Sequence, residues 1–423
     1  MADDIQKGIE RENEIIRTGV RNIYTPYKPI TSIDRFAGRA KEVIRLLEYM
    51  NSPGQHVLLY GNRGVGKTSL ANILVILLEK RGDKILIKKK CDSTDTFASI
   101  VAQPLTHVDV DVNLNTTETH KTFSGGVEGG ITIGIPLIKR QTNKGKTTVD
   151  TFNGIGEKAN SPAWVAEKLK DTNALFIIDE LDALVANSDR RKIAELIKHL
   201  SDSDSPFKIM IVGIAETAEI LTGGHPSVSR CLKETKLSRM SEEELSEIVL
   251  TGSEKLGLDF EEQVIRDIEK NSDGFPFMTH LLALKCAENA IIQDRNRITL
   301  EDLMHAFKAA ALDVEGTLNN YYSTAVRSYR KEEMYRLIVL AAAYCAASGP
   351  EFTSQDLRDK IKELSGKDVS QQNLNNHFKK LMSDGKDKIF QRLSVGVYRF
   401  SDPRMPSFVR ISEEKQGDVK TIV

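Results

Sequence analysis

The sequence predicts an α/β fold, a parallel sheet between two layers of helices (three-layer αβα), followed by an all-α region and a small C-terminal domain. An apolar run that begins at Val57 leads into a glycine-rich loop at residues 61–68, and an apolar helix follows directly. A second apolar run, 174–178, ends in two adjacent acids. Beyond Arg239 the apolar residues recur at helical spacing, until an alternating β-ribbon begins near residue 390.

Length and composition limit the classes of protein to which the chain can belong. Its 423 residues are enough for two to three domains of about 150 residues each. The 59 basic and 60 acidic residues nearly cancel, so the overall charge does not point to a polyanionic or membrane partner. The four cysteines form no Cys-x-x-Cys pair, which favours a reducing compartment and argues against a zinc site. We find neither an apolar signal core nor an apolar run of ~20 residues, so we expect a cytoplasmic protein without a membrane span.

The loop at residues 61–68 reads GNRGVGKT and matches the phosphate-binding pattern G-x-x-x-x-G-K-[ST]. Glycines let the backbone N–H groups turn toward phosphate oxygens, and the following helix presents the positive end of its dipole. Lys67 is predicted to reach the β- and γ-phosphates, and the Thr68 hydroxyl to ligate Mg²⁺. The predicted nucleotide-binding residues of this P-loop are Gly61, Asn62, Arg63, Gly64, Val65, Gly66, Lys67, Thr68 and Ser69.

The run 174–178 is typical of a buried parallel strand, and Asp179 and Glu180 follow it. Downstream of a P-loop, this pattern predicts a Walker B strand. Asp179 would hold Mg²⁺, directly or through water, and Glu180 would polarise the attacking water. The predicted chemistry is in-line attack of water on the γ-phosphate, with Lys67 and Mg²⁺ stabilising the developing charge.

Other candidate site residues leave alternatives open. Phe36 either sandwiches an adenine ring together with Ile33 or caps the core. No Asn follows the predicted strand 208–213, where a residue that senses the γ-phosphate is expected, and Glu216 and Thr217 are weak substitutes. Arg230 either projects into the site of an adjacent subunit as a catalytic arginine finger or is a surface arginine.

The predicted domain organisation has five parts. An amphipathic helix and an extended linker occupy residues 1–30. The ATPase core spans 31–238 and includes a β-hairpin-like insertion at 106–146, which is either a contact device for a partner or a decorated loop. A helical lid follows at 239–322, a winged helix at 325–410, and a tail at 411–423. Basic residues outnumber acidic ones by sixteen to ten in the winged helix, which suits DNA contact through residues 370–400 but equally fits a protein-docking module.

The ordered set of motifs resembles the AAA+/STAND class of P-loop ATPases, and especially those related to origin-recognition-type initiators with a C-terminal winged helix. The set is FAGR at 36–39, GNRGVGKT, FIIDELDAL at 176–184, the lid sequence GFP at 274–276 and the winged helix. The resemblance covers about residues 30–410. It implies ATP and Mg²⁺ as ligands and places Pro276 near the base or ribose. The lid arginine of the initiators is missing, since Phe277, Met278 and Thr279 stand there, which favours slow hydrolysis.

The resemblance implies a nucleotide switch that forms homo-oligomers or signals to an effector protein, and many bacterial members of the class belong to antiviral or mobile-element systems. The alternative function is that of a DNA-binding ATPase in replication initiation or transposition. A third interpretation is a nucleotide-binding scaffold with negligible turnover.

Overall fold

The computed structural model describes residues 2–82, 84–110, 158–214, 228–313, 318, 321–323, 326, 332–346, 351–382, 389–402 and 404–414. The strands are β1 (His56–Gly61), β2 (Ile85–Lys90), β3 (Ala174–Asp179), β4 (Lys208–Gly213), β5 (Leu232–Leu237), β6 (Asp259–Phe260), β7 (Arg297–Ile298), β8 (Glu351–Thr353), β9 (Phe390–Ser394) and β10 (Val397–Phe400). The helices are α1 (Ala2–Thr18), α2 (Val20–Ile23), α3 (Ala40–Asn51), α4 (Lys67–Glu79), α5 (Phe97–Thr106), α6 (Pro162–Leu169), α7 (Asn187–Asp202), α8 (Val228–Cys231), α9 (Glu242–Leu256), α10 (Glu262–Ser272), α11 (Pro276–Ile292), α12 (Leu300–Asp313), α13 (Glu332–Cys345), α14 (Ser354–Ser365), α15 (Gln371–Leu381) and α16 (Met405–Glu414).

The core is a parallel sheet in the order β2-β3-β4-β1-β5. Alternate residues of a strand point to opposite faces, so a strand covered on both sides is apolar throughout. In β1, Val57 and Leu59 pack in one hydrophobic cluster with α4, whereas Leu58 packs in another with α7. The predicted three-layer αβα core is confirmed. Because β4 lies between β1 and β3, its carboxyl end stands between the P-loop and the Walker B acids.

The N-terminal segment ties the lid to the core. The ring of Tyr24 is buried against α9, where its hydroxyl donates to the carbonyl of Val249 at 2.8 Å. A Cβ on Gly252 would lie 2.3 Å from that ring, so the notch requires glycine. At the other end of the segment, the Ile30 N–H donates to Ser69 Oγ at 3.1 Å. Residues 24–30 therefore form a strap between α9 and α4.

The lid consists of α9 to α12 and one element that the sequence did not predict. We expected helices only, but β6 and β7 pair in parallel and bury Phe260 and Ile298. Two residues per strand are too few to produce a readable alternation. Helix α5 ends at Thr106, where the insertion was expected to begin. Most of the predicted insertion lies outside the described residues, because residues 111–157 are not among them.

The C-terminal domain combines α13 to α16 with an antiparallel sheet in the order β8-β10-β9. Its core is aromatic, with the rings of Phe378 and Tyr398 stacked at 4.2 Å. The predicted boundary between domain and tail at residue 410 is wrong. Helix α16 runs to Glu414, and Ile411 and Glu413 are buried, because its apolar face packs on α13 and α12. Strand β8 was also not predicted.

Asp273 joins three parts of the molecule. It ends α10 in the left-handed backbone region, at φ 52°. Its carboxylate lies 2.6 Å from Nη1 of Arg239, which follows the core strand β5, and 3.7 Å from Nη2 of Arg410 in α16. Burial raises the pKa of Asp273 although both arginines oppose that shift. One carboxylate is thus shared between two domains.

In the described part of the chain, we find no helix that is long and apolar enough to cross a membrane.

Candidate functional site

A cleft of about 590 Å³ lies at the carboxyl edge of the core sheet. This volume is within the range of small-molecule and cofactor sites. Its walls come from the P-loop, the Walker B turn, the N-terminal strap, the start of α11 and the C-terminal domain. The cleft therefore brings together segments from every described domain.

The P-loop contains two left-handed backbone conformations, both at glycines. Gly64 and Gly66 adopt left-handed conformations at φ 86° and 93°, and α4 begins directly afterwards at Lys67. Gly61 also has no room for a side chain, since a Cβ there would lie 2.3 Å from the carbonyl oxygen of Leu237. Of the predicted loop residues, those at 63–69 line the cleft, whereas Gly61 and Asn62 do not.

Lys67 is held at the loop by its own backbone. Its Nζ donates to the carbonyl oxygens of Gly61 at 3.0 Å and Asn62 at 2.8 Å. Burial lowers the pKa of Lys67, and the carboxylates of Asp182 and Asp179 partly offset that shift. The side chain of Lys67 is half-buried, and both acids lie close enough to act on its charge.

Asp179 and Thr68 supply the oxygen atoms that a magnesium ion requires. Asp179 is 3% exposed at the end of β3. Burial raises its pKa, while the positive charge of Lys88 and a hydrogen bond from Thr68 act in the opposite direction. A hydroxyl and a carboxylate are hard oxygen ligands of the kind that Mg²⁺ prefers. The residues predicted for the metal site thus lie together and fit the ion.

Glu180 and Asp182 follow Asp179 around the turn and also line the cleft. Glu180 has a left-handed backbone at φ 57°, and its carboxylate lies 3.1 Å from Nζ of Lys90, the last residue of β2. Both side chains of this ion pair are more than half exposed. Asp182 was not singled out from the sequence, although its position two residues after Glu180 is a readable signal.

Another part of the cleft wall is formed by the strap and the lid. We call it the base end and define it by residues 25–30, Phe36, Phe277 and His280. Phe36 is half-buried in this wall, whereas Ile33 does not line the cleft, so the predicted pairing of the two around an adenine ring stays a prediction. Pro276 begins α11 and lies close to the P-loop, 3.8 Å from the position of a Cβ on Gly66.

Arg404 brings the C-terminal domain to the P-loop. Its side chain lines the cleft and would lie 3.3 Å from a Cβ on Gly64. Asp402 binds its guanidinium in two contacts, at 2.7 and 3.0 Å. Partial burial tends to raise the pKa of Asp402, but these contacts and the charge of Arg63 lower it below its usual value. No sequence motif marks Arg404, because only the packing of distant domains places it here.

Comparison with known proteins assigns the family. The profile of the novel STAND NTPase 1 family matches residues 26–382, most of the chain. The chain belongs to this family. A subunit of the Holliday junction branch migration complex, RuvB of Mycoplasmopsis pulmonis, is 30% identical over 169 residues, which is 35% of this chain and 54% of RuvB. The chain therefore spans about half the length of that relative.

Solved structures resemble this STAND NTPase at low sequence identity. A Walker-type ATPase of Pyrococcus abyssi aligns with a TM-score of 0.49 at 16% identity, covering 91% of this chain and 99% of that one. The Aeropyrum pernix ORC1 protein in complex with DNA aligns with a TM-score of 0.46 at 16% identity, covering 95% and 98%. RuvB of Thermotoga maritima aligns with a TM-score of 0.45 at 16% identity, covering 88% and 95%.

Two further predictions concern Arg230 and the residues that follow β4. Arg230 lies on the short helix α8, is exposed, and is not part of the cleft wall. Within one chain it therefore contacts no predicted phosphate site, and its role as an arginine finger stays a prediction. Glu216 and Thr217 lie outside the described residues.

Proposed function

We propose that the cleft binds ATP with Mg²⁺ and hydrolyses it, and that the nucleotide controls how the C-terminal domain rests on the P-loop. Lys67 would exchange its two loop carbonyls for phosphate oxygens. Thr68 and Asp179 would hold Mg²⁺, which neutralises charge on the β- and γ-phosphates. Glu180 would orient and polarise the attacking water after leaving Lys90. Slow turnover is expected, because that ion pair competes with the productive position of Glu180.

The observation that supports a switch is the contact between Arg404 and the P-loop. Arg404 forms an ion pair with Asp402 and lines the cleft beside the P-loop, where a triphosphate would bind. A polyphosphate beside this guanidinium competes with Asp402 for its charge. Loss of the γ-phosphate changes that competition, so the C-terminal domain would move between ATP and ADP states. Such a movement would change the assembly state or expose a surface to an effector protein, as in a defence signalling system.

The experiment compares Lys67→Ala and Arg404→Ala with Arg399→Ala, an exposed arginine of β10 in the same domain. Isothermal titration gives nucleotide affinity, light scattering gives assembly state, and spin labels at Ile44 and Asp359 report the distance between core and C-terminal domain. Lys67→Ala should abolish ATP binding. Arg404→Ala should still bind ATP but lose the nucleotide-dependent change, and Arg399→Ala should behave as wild type. An unchanged ATP response in Arg404→Ala would contradict the switch.

A second candidate function, DNA binding, rests on the outer face of the C-terminal domain. Helix α15 exposes Gln371, Gln372, Asn375 and Asn376, and the adjoining hairpin exposes Arg392 and Arg399. We interpret the domain as a winged helix, in which a helix with exposed amides enters the major groove and a basic wing contacts phosphate. This function places the ATPase in replication initiation or transposition.

Charge reversal in the full chain tests this second function. Arg392→Glu combined with Arg399→Glu should weaken binding of duplex DNA at least tenfold, and wild-type affinity should fall steeply with salt. Arg266→Glu, on the exposed face of the lid helix α10, is the matched control and should leave DNA affinity unchanged. Salt-independent binding, or no binding by wild type with ATP, would exclude DNA as the partner.

A further inference from the structure

His280 lies in the base end and takes no part in phosphate chemistry. It is on the first turns of α11 and is 8% exposed. Its Nδ1 accepts a hydrogen bond from the backbone N–H of Thr25 at 3.3 Å, and its ring meets that of Tyr24 edge to face at 6.3 Å. The strap and the lid thus fix the orientation of this imidazole.

The hydrogen bond to Thr25 determines where the ring carries its proton. A neutral imidazole has one donor and one acceptor, so Nδ1 as acceptor leaves the proton on Nε2. Burial lowers the pKa of His280 to about 4, which keeps the ring neutral at pH 7. Toward the described residues Nε2 makes no hydrogen bond, yet it is not a buried atom, and His280 lines the cleft. An oriented N–H donor therefore faces the cavity.

We propose that His280 recognises the base of the bound nucleotide, with its Nε2–H donating to a ring nitrogen of a purine. The proposal deepens the proposed function and rests on it, because the P-loop must hold the triphosphate. Adenine carries ring nitrogens that accept hydrogen bonds at positions 1, 3 and 7, whereas position 1 of guanine carries a proton, so positions 3 and 7 are the acceptors that the two purines share. The aromatic rings of Phe36 and Phe277 line the same end and offer a flat bicyclic base apolar surface.

Two substitutions test the roles of the two ring nitrogens of His280 separately. Asn places an acceptor near the position of Nδ1, so His280→Asn retains a partner for Thr25 but lacks the distal donor. Gln places an amide N–H near the position of Nε2, so His280→Gln retains the donor. Isothermal titration of the full chain uses ATP, GTP and CTP, and inorganic tripolyphosphate as a ligand without a base. Losing one neutral hydrogen bond should weaken ATP and GTP binding about 3- to 10-fold in His280→Asn.

Tripolyphosphate affinity should be the same in wild type and both variants, and His280→Gln should restore purine affinity. One of 1-, 3- or 7-deaza-ATP should bind to wild type as weakly as ATP binds to His280→Asn. The affinity of that analogue for His280→Asn should be the same as its affinity for wild type. Equal loss of tripolyphosphate and ATP binding, or no sensitivity to any deaza analogue, would overturn the role of His280. Failure of wild type to bind either ATP or tripolyphosphate would instead overturn the proposed function.

Discussion

The two ends of the cleft are built in different ways. The wall predicted to bind phosphate, which we call the phosphate end, comes from residues 63–69 of the P-loop and from Asp179, Glu180 and Asp182, which the sheet brings to one edge. The base end and the wall around Arg404 come from the strap, the lid and the C-terminal domain, which are hundreds of residues apart in sequence. The phosphate end therefore belongs to the core sheet, whereas the rest of the cleft is built from the packing of separate parts of the chain.

The two kinds of construction suit two different tasks, catalysis at the phosphate end and the response to nucleotide in the rest of the cleft. Groups that must be held close to one geometry, such as Asp179 and Lys67, stand on strand and helix ends. Groups that change partners, such as Arg404, stand on elements joined to the core by side-chain contacts. Substitutions at the phosphate end should therefore alter the rate of hydrolysis more than stability, whereas substitutions at the strap should alter stability and, through it, nucleotide affinity.

The largest expected effect is at Glu180. Glu180→Gln should lower ATP hydrolysis by about 10²- to 10⁴-fold, because it removes the group that polarises water, and should leave ATP affinity nearly unchanged. Phosphate release under single-turnover conditions measures the effect. Glu167→Gln, at an exposed glutamate of α6, is the control. Equal hydrolysis rates in the two variants would show that Glu180 takes no part in catalysis, and the phosphate end would then not be the part of the cleft that carries the chemistry.

The strap should respond through stability. In Gly252→Ala the new methyl group would overlap the Tyr24 ring at 2.3 Å. Overpacking of this kind costs about 3 kcal/mol, and displacement of the strap should also weaken ATP binding. Denaturant unfolding and titration with ATP measure both effects. Gly8→Ala in α1, where a methyl group would meet nothing within 4 Å, should be neutral or slightly stabilising; if both variants unfold alike, Tyr24 does not anchor the strap.

The core sheet has an acid-sensitive residue at the edge opposite the cleft. His56 is buried at the start of β1, and its Nδ1 accepts from the N–H of Ile209. Burial, aided by the charge of Lys208, lowers the pKa of His56 to about 3. The unfolded chain protonates this residue below a pKa of about 6.5, so the stabilisation is present above that pH and is lost as the pH falls toward 3.

Lowering the pH from 7 to 5 should therefore cost about 2 kcal/mol of unfolding free energy through His56. Urea unfolding at several pH values checks this, with His56→Asn expected to flatten the dependence by that amount. His199→Asn, on the exposed face of α7, should keep the wild-type pH dependence. The same slope in all three proteins would show that other groups govern acid sensitivity.

The smallest expected effect is at Lys90. Its ion pair with Glu180 is more than half exposed, and such pairs are worth about 0–1 kcal/mol. Lys90→Ala should therefore raise the hydrolysis rate by up to about fivefold, because Glu180 is freed for water. Steady-state phosphate release measures this, with Lys84→Ala at the opposite end of β2 as the control. A fall in rate would show that Lys90 assists the reaction.

The sequence predicted the parts of this site whose residues are contiguous. Lys67, Thr68, Asp179 and Glu180 lie in two motifs whose geometry follows from local backbone and from parallel strand ends. Arg404 and His280 could not be predicted, because their positions relative to the P-loop depend on how distant domains pack. The strands β6 and β7 are too short for a periodic signal, and α16 lay partly in a segment that we expected to be a tail.

Asp273 has a consequence for the order in which the domains separate. Its single carboxylate lies at hydrogen-bond distance from Arg239 and about one ångström farther from Arg410. The negative charge is therefore divided unequally, and the bond to the core is the stronger one. Pro276, which faces the P-loop, is only three residues away along the chain. We therefore expect the contact with Arg410 to break before the bond to Arg239 when the domains separate.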